Sequence, residues 1–230
     1  WAGSQKYGAL VWSGDIKSSF PSMKNQVAAG LNMGIAGIPW WTTDIGGFFG
    51  ANINDPEFHE LLVRWFEYGC FCPVMRLHGY RWPLQPQYGT TGGATCVSGA
   101  QNEVWSYTDQ VCEILSDYLR LRERMLPYIT ELMEEAHEKG TPVMRPLFYD
   151  FPEDKESWNV ETEYMFGPKV LVKPITDADA RETDVYLPGG ASWTNAWTGE
   201  TFEGGQKVHV AAPIEQIPLF TRDGYKLPMK

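Results

Sequence analysis

Basic residues are scarce in this sequence, and no stretch of it concentrates them. Nineteen lysines and arginines stand against 29 aspartates and glutamates, which gives a formal net charge of −10 at pH 7. Proteins that bind nucleic acid neutralise its phosphates with clustered lysine and arginine. The charge balance therefore argues against nucleic acid as a partner.

Cysteine is scarce as well, with four residues in a chain of 230. A disulfide framework is typical of much shorter secreted domains, and no cysteine or histidine pair has the spacing of a zinc finger. Free thiols favour a cytoplasmic protein, although a secreted or periplasmic location stays open. We expect reduced and mostly buried thiols at Cys70, Cys72, Cys96 and Cys112.

A long apolar run is absent too. No segment reaches the length of a membrane-spanning helix, and no signal peptide is visible, so we expect no membrane partner. The chain opens on Trp1, without an initiator methionine, inside a segment whose pattern looks ordered. We therefore expect these residues to be a fragment of a longer protein.

Aromatic residues, in contrast, are abundant, with ten Trp, eleven Tyr and eleven Phe. Sugar rings present apolar C–H faces that stack on aromatic side chains, so aromatics beside carboxylates fit carbohydrate binding. A large aromatic core is the alternative explanation.

The first 80 residues alternate strand-like and helix-like segments. This order is typical of part of a (β/α)8 TIM barrel, which three strands alone cannot close. The predicted strands cover residues 9–15, 34–41 and 71–75, and the predicted helices cover residues 20–33 and 56–68. Glu57, Glu60 and Glu67 on the second helix predict a solvated face.

The second half of the chain changes character near residue 142. Before that point, residues 106–139 predict one long helix that Pro127 kinks or splits. After it, short β-like runs alternate with Gly and Pro turns, which is typical of a β-sandwich. We therefore predict an α/β part followed by an all-β part, with residues 1–150 in the barrel and residues 151–230 in a small antiparallel β-sandwich.

Charged side chains follow every predicted strand of the first half. Asp15 follows the first strand, Asp44 follows the second, and Arg76 and His78 follow the third. Catalytic groups of parallel α/β barrels lie where strands end and loops begin. Core packing has no reason to place charge at each strand end, so these residues predict one polar pocket. The aromatic residues expected to wall it are Trp12, Trp41 and Phe48.

Each of these residues also has a structural interpretation. Asp15 could cap the following helix, and Asp44 could be a turn acid. His78 could be a satisfied core histidine, and Arg76 could serve mainly as a salt-bridge partner. Trp40 is assigned to packing and Arg81 to the pocket rim at most.

Three segments resemble the later catalytic motifs of glycoside hydrolase family 31, which includes α-glucosidases and α-xylosidases. They are Trp-Ser-Gly-Asp at 12–15, Gly-Ile-Pro-Trp-Trp-Thr-Thr-Asp-Ile-Gly-Gly-Phe at 37–48, and Met-Arg-Leu-His-Gly at 75–79. Further matching motifs follow in the same order as far as residues 217–220, so the resemblance covers nearly the whole chain. It implies that residues 1–150 are the C-terminal portion of the catalytic barrel.

The resemblance also implies a role for each site residue. Asp15 matches the general acid/base, which protonates the leaving oxygen and then deprotonates the attacking water, and Trp12 would shield this acid from water. Asp44 and His78 match residues that hydrogen-bond sugar hydroxyls, and Arg76 matches a companion that holds charge and geometry. No metal or cofactor is expected, because two carboxylates suffice for this chemistry.

The family pattern further requires a nucleophilic aspartate on an earlier strand, about 5 Å from the acid/base. No strand of that kind precedes Asp15 in these residues. We therefore expect a fragment of a retaining α-glycosidase that lacks the nucleophile, needs the upstream half of the same barrel and is inactive alone. The expected substrate is an oligosaccharide or other α-glycoside with terminal non-reducing α-linked glucose or xylose, and a pocket narrowed by Trp40 and Trp41 would favour xylose. The alternatives are a non-catalytic carbohydrate-binding or structural module and a transglycosylase of the same family.

Overall fold

The computed structural model of the protein describes residues 4–229. Its α-helices are α1 (Phe20–Ile35), α2 (Pro56–Cys70), α3 (Asp109–Arg124), α4 (Leu126–Lys139) and α5 (Leu147–Asp150). Its strands in the first half are β1 (Val11–Trp12), β2 (Trp41–Thr42), β3 (Ala51–Asn52) and β4 (Arg81–Trp82). Those in the second half are β5 (Met144–Pro146), β6 (Tyr164–Phe166), β7 (Val170–Val172), β8 (Glu182–Leu187), β9 (Ser192–Asn195), β10 (Thr201–Glu203), β11 (Gln206–Ala211) and β12 (Leu219–Arg222).

Capping residues set the helix ends. Helix α1 begins after Ser19, whose Oγ accepts a hydrogen bond from the Ser22 N–H at 3.3 Å, so Asp15 does not cap this helix. Helix α2 begins after Asp55, whose carboxylate accepts from the Glu57 N–H at 3.0 Å.

The long predicted helix is split as expected. Helices α3 and α4 meet at Met125, and Pro127 lies in the first turn of α4, where its missing N–H leaves no helix bond unmade. Gly140 ends α4 in the left-handed conformation, with φ of 71°.

The strands of the first half are much shorter than predicted. Strand β1 pairs in parallel with β2, and β3 pairs in parallel with β4. The strand predicted over 34–41 is wrong at its start, because α1 continues to Ile35 and Gly37 then turns the chain at φ of 81°.

The third predicted strand, over residues 71–75, is not formed. The N–H groups of Phe71 and Cys72 bond back to the carbonyls of Tyr68 and Gly69, which extends the end of α2. Pro73 has no N–H to offer to a ladder. The segment still runs beside β2, because the Val74 N–H donates to the Trp41 carbonyl at 3.1 Å.

The second half forms an antiparallel β domain, as predicted. One sheet has six strands in the order β10-β9-β12-β7-β6-β5, and a second sheet pairs β8 with β11. Strand β5 belongs to the larger sheet although it precedes residue 150. Side chains of both sheets enclose a shared apolar core, which includes Met165, Leu171, Val185, Leu187, Trp193, Val208 and Phe220.

The other face of the six-stranded sheet packs on the helices of the first half. Neighbouring side chains along a strand point to opposite faces. Leu171 therefore lies in the core between the sheets, whereas Val170 and Val172 join the core that also contains residues of α2, α3 and α4. One sheet thus contributes to two cores.

A buried polar cluster reinforces this contact. Arg64 of α2 has no exposed surface and donates to the carbonyls of Ala180 and Ala212 at 3.0 and 2.7 Å. It also pairs with Glu67 at 3.1 Å. The Tyr118 hydroxyl of α3 donates to Glu67 at 3.1 Å. The prediction of a solvated face is therefore wrong for Glu67, because this face of α2 is covered by the β domain.

Two further expectations concern the thiols and membranes. All four cysteines are free; Cys70 and Cys72 are buried, Cys112 is half-buried and Cys96 is exposed. Between residues 4 and 229, no helix has both the length and the apolar character needed to cross a membrane.

Candidate active site

Backbone hydrogen bonds bring three loops together at the ends of β1 and β2. The Ser13 N–H donates to the Thr42 carbonyl at 3.2 Å, and the Phe48 N–H donates to the Ile16 carbonyl at 2.7 Å. The Tyr80 N–H donates to the Phe48 carbonyl at 2.6 Å. The predicted strand-end residues are therefore carried by loops that contact one another.

The contact between the first two loops requires a glycine. A Cβ at Gly47 would lie 2.6 Å from the Cα of Ser18, and Gly47 has φ of +75°. Any side chain at this position would push the two loops apart.

Asp44 is the buried centre of this arrangement. It has no exposed surface, and its Oδ1 accepts a hydrogen bond from the Arg76 guanidinium. Its Oδ2 is buried and has no hydrogen-bond partner among residues 4–229. Burial raises the pKa of Asp44, the positive charges of Arg76 and His78 oppose this rise, and the negative charge of Asp15 adds to it. The structure thus places Asp15, Arg76 and His78 within electrostatic reach of Asp44.

The remaining groups at this site are accessible. His78 is exposed, and its ring centroid lies 5.6 Å from that of the half-buried Phe48. Asp15 is exposed, and the Trp12 side chain is 50% exposed. The core-histidine interpretation of His78 is therefore wrong.

The two adjacent tryptophans lie elsewhere. Trp41 is 4% exposed, and its ring packs on α1, where a Cβ at Gly30 would lie 2.8 Å from it. The Trp40 ring stacks on His137 of α4 with centroids 6.4 Å apart. Trp40 therefore packs as expected, whereas the contacts of Trp41 do not support its predicted place in the pocket wall. The argument that this pair narrows the pocket for xylose is lost with it.

Arg81 was expected at the pocket rim at most, and that expectation is wrong. Its side chain is fully buried beneath the loops that carry Asp44 and His78. The glycines at 46, 47 and 79 indicate that the backbone there lies close to another group. The sequence alone does not identify the Arg81 guanidinium as such a group.

The chemistry available here is hydrogen bonding to polar hydroxyls combined with proton transfer. Asp44 Oδ2 is a free acceptor, Arg76 is a donor, and the rings of Phe48 and His78 offer flat surfaces. Asp15 adds an accessible carboxyl group. Within the described part of the chain, no group of three or more His, Cys, Asp or Glu residues is arranged to hold a metal ion.

Comparison with known protein families matches both halves of the chain. Residues 1–132 match the glycosyl hydrolases family 31 TIM-barrel domain, and residues 140–227 match the glycosyl hydrolase family 31 C-terminal domain. Together these segments leave only short stretches of the chain unmatched.

Similar proteins include xylosidases and glucosidases. The chain is 39% identical over 228 residues to an α-xylosidase of Saccharolobus solfataricus, covering 99% of this chain and 29% of that protein. It is 35% identical over 224 residues to α-glucosidase 2 of Bacillus thermoamyloliquefaciens, covering 97% of this chain and 25% of that protein.

A solved structure is similar over the same range. The crystal structure of a family 31 α-xylosidase from a soil metagenome, complexed with xylose, has 54% identity and a TM-score of 0.94. The match covers 99% of this chain and 34% of that one. The chain thus spans about a third or less of the length of these relatives.

Proposed function

The chain belongs to glycoside hydrolase family 31, and we propose that it is the C-terminal part of a retaining α-glycosidase. In this proposal the C-terminal portion of a (β/α)8 catalytic barrel ends before β5, and the β-sandwich domain that follows begins with that strand rather than at residue 151. The chain covers 29% and 34% of the length of two relatives, which supports its being one part of a longer enzyme.

Asp15 is the proposed general acid/base. It follows β1, is exposed and lies within electrostatic reach of Asp44. It would protonate the glycosidic oxygen as the bond to the sugar breaks, and then take a proton from the attacking water. Trp12, beside it in sequence and half exposed, would cover this carboxyl group once a sugar is bound.

Asp44 is proposed to bind a hydroxyl group of the sugar, and its unpaired oxygen is the main observation behind the proposed function. A buried carboxylate oxygen without a partner is costly, and a sugar hydroxyl donating to Oδ2 would remove that cost. Arg76 holds the other oxygen. His78 and Phe48 would line the same subsite, with Phe48 offering an apolar face for stacking.

The nucleophile is proposed to lie outside these 230 residues. A nucleophilic carboxylate must be ionised, and burial raises the pKa of Asp44, which disfavours that form. One of the two oxygens of Asp44 is also already paired with Arg76. Neither carboxylate of the site then fits the nucleophile's role, so turnover would need the upstream half of the barrel.

An apolar cleft on the surface supports the proposal that the upstream half of the barrel packs on this chain. It has a volume of about 590 Å³ and lies along the segment that follows α2. Its lining includes Val74, Met75, Leu77, Trp105 and Leu119. The upstream half of the barrel is the proposed occupant, because an unfinished barrel exposes apolar surface on its open side.

Terminal α-linked xylose or glucose is the proposed substrate. The 54% identical relative is an α-xylosidase whose structure holds xylose, which favours xylose of the two. Glucose is the alternative sugar, because another relative is an α-glucosidase.

The test replaces the matching third of the soil-metagenome α-xylosidase with these 230 residues. Aryl α-xyloside and aryl α-glucoside are then assayed with this chimera and with the chain alone, and near-UV circular dichroism reports whether aromatic side chains are packed. We expect turnover by the chimera, none by the folded chain, and loss of activity in the Asp15→Ala chimera.

Other outcomes would change the assignment. Turnover by the chain alone that disappears in Asp44→Ala would place the nucleophile inside it and overturn the proposal. Sugar binding without hydrolysis by the chimera would indicate a binding module. Transfer of the sugar to an added acceptor in preference to water would indicate a transglycosylase.

A further inference from the structure

We propose that Arg81 is a positioning residue that fixes the loops carrying Asp44, Phe48 and His78. A guanidinium has five N–H donors, and every one of them has an acceptor here. Nη1 donates to the carbonyls of Gly47 and Phe48 at 2.7 and 3.3 Å. Nη2 donates to the carbonyls of Ile45 and His78 at 3.0 and 3.4 Å. Nε donates to Asn102 Oδ1 at 3.2 Å.

Four of these acceptors are backbone carbonyls of the loops that carry Asp44, Phe48 and His78. Gly46 and Gly47 follow Asp44 after one residue, Ile45, and have φ of +86° and +75°, so this loop has little conformational restraint of its own. Arg76, the ion-pair partner of Asp44, has a side chain that is 39% exposed. Arg81 is fully buried and is therefore the more rigid of the two attachments.

The surroundings are shaped to hold this guanidinium. A Cβ at Gly79 would overlap it, and its central carbon lies 4.9 Å from the ring centroid of Phe58. Burial lowers the pKa of Arg81, and this effect is opposed by Tyr107 and, to a smaller extent, by the carboxylate of Asp44. No carboxylate forms a hydrogen bond with Arg81 among the described residues, so carbonyl dipoles surround its charge.

Arg81 also holds the far end of the long loop that follows it. Its own carbonyl accepts from the Ala100 N–H at 2.8 Å. Asn102, one acceptor of the guanidinium, also accepts from the Tyr107 hydroxyl at 2.5 Å. The end of the loop that follows β4 is therefore attached to Arg81, the same buried residue that contacts the loops of the site.

The test uses the 230-residue chain with isotope-labelled aspartate and histidine, observed by NMR. It compares Arg81→Met and Arg81→Lys with Arg122→Met. Arg122 is a matched control, because its guanidinium donates to the carbonyls of Cys70, Cys72 and Pro73 at 2.7 to 2.8 Å, and none of these belongs to the site loops. His137, which stacks on Trp40, serves as an internal reference.

Both Arg81 variants should move the His78 ring signals toward those of a histidine without an aromatic neighbour, because the contact with the Phe48 ring is loosened. Arg81→Met should also raise the pKa of Asp44, since the positive charge of Arg81 lowers it. Lysine keeps that charge but has three donors in place of five, so Arg81→Lys should not restore the His78 signals. Arg122→Met should leave the signals of both residues unchanged.

Two results would overturn the proposal. One is wild-type His78 signals in Arg81→Lys, which would leave charge as the only role of Arg81. The other is an equal movement of His78 in Arg122→Met, which would indicate general destabilisation. If the Arg81 variants do not fold, Asn102→Ala removes one acceptor only, and unchanged His78 signals there would equally contradict it. The inference rests on the proposed function for what Asp44 and His78 do, but these signals require no turnover, so the two proposals can fail separately.

Discussion

At the residue scale, the buried carboxylate of Asp44 is only partly compensated. One oxygen faces Arg76 and the other has no partner, although the whole side chain is buried. Because burial raises its pKa, folding penalises the ionised form. The wild-type chain therefore loses stability as pH rises from the ordinary range of an aspartate through the raised pKa, and below that range the penalty disappears.

Replacing Asp44 by Asn should therefore stabilise the chain at neutral pH, by about 1 kcal/mol, while it weakens sugar binding. Urea unfolding from pH 4 to pH 8 would check this, with the gap between variant and wild type widening as pH rises. Asp117→Asn is the control, because Asp117 is exposed and forms an exposed ion pair with Arg120. A variant that is less stable than wild type at pH 7 would show that the pair with Arg76 outweighs the burial.

Asp15 should act on the leaving group. In the chimera, Asp15→Asn should lower kcat by about 10²- to 10⁴-fold for a sugar leaving group, the usual contribution of a positioned acid. The loss should be much smaller for a dinitrophenyl leaving group, which needs little protonation. Comparing kcat for the two substrates checks this, and equal losses for both would contradict the acid role.

The sequence pattern locates these residues because the ends of parallel strands converge. That rule and the family motifs predict Asp15, Asp44, Arg76 and His78 as one site, and in the structure Asp15, Arg76 and His78 lie within electrostatic reach of Asp44. Arg81 could not be found in this way. Its partners are backbone carbonyls, which carry no sequence signature, and it contacts carbonyls as far away as Ile45.

At the scale of elements, the loops after β1 and β2 depend on close contact between backbones. Gly47 and Gly50 both have positive φ, but a Cβ at Gly47 would strike the Ser18 backbone, whereas one at Gly50 would meet only Lys17 Cγ at 3.7 Å. Gly50→Ala should therefore cost about 1 kcal/mol from conformation alone. Gly47→Ala should cost clearly more and reduce activity of the chimera. Thermal unfolding and kinetics of both variants test this, and equal effects would contradict the loop contact.

Helix α2 is attached to the β domain by Arg64. Removing one partner of a buried ion pair typically costs about 3–5 kcal/mol, so Arg64→Met should destabilise the chain by that order. Arg120→Met removes an exposed pair on α3, where the loss should be under about 1 kcal/mol. Urea midpoints measure both, and similar losses for the two variants would show that the anchor is unimportant.

Helices are predicted better than strands in this chain for a physical reason. A helix carries its own signals, such as Asp55 before Pro56 or Gly140 after α4. A strand needs a partner that the local sequence does not reveal. Residues 71–73 have strand-like composition, yet they complete the turn after α2 because the backbone acceptors of Tyr68 and Gly69 are close.

At the scale of the whole molecule, the six-stranded sheet joins the two halves. Leu171 faces the core between the sheets, and Val172 on the same strand faces the core shared with the helices. Leu171→Ala and Val172→Ala should therefore shift one common unfolding transition, with about 2–5 kcal/mol lost for the leucine. Calorimetry and tryptophan fluorescence should report the same midpoint. Two separate transitions, one for each half, would contradict a shared sheet.

Strand β7 also limits where genetic recombination between related proteins can join their sequences. A genetic crossover between the helices and the sheet would set the β7 residues of one parent against the helical residues of another. Val170 and Val172 would then meet unfamiliar neighbours, while Leu171 kept its own. Recombination should succeed most often when the helices and the sheet are passed on as one block.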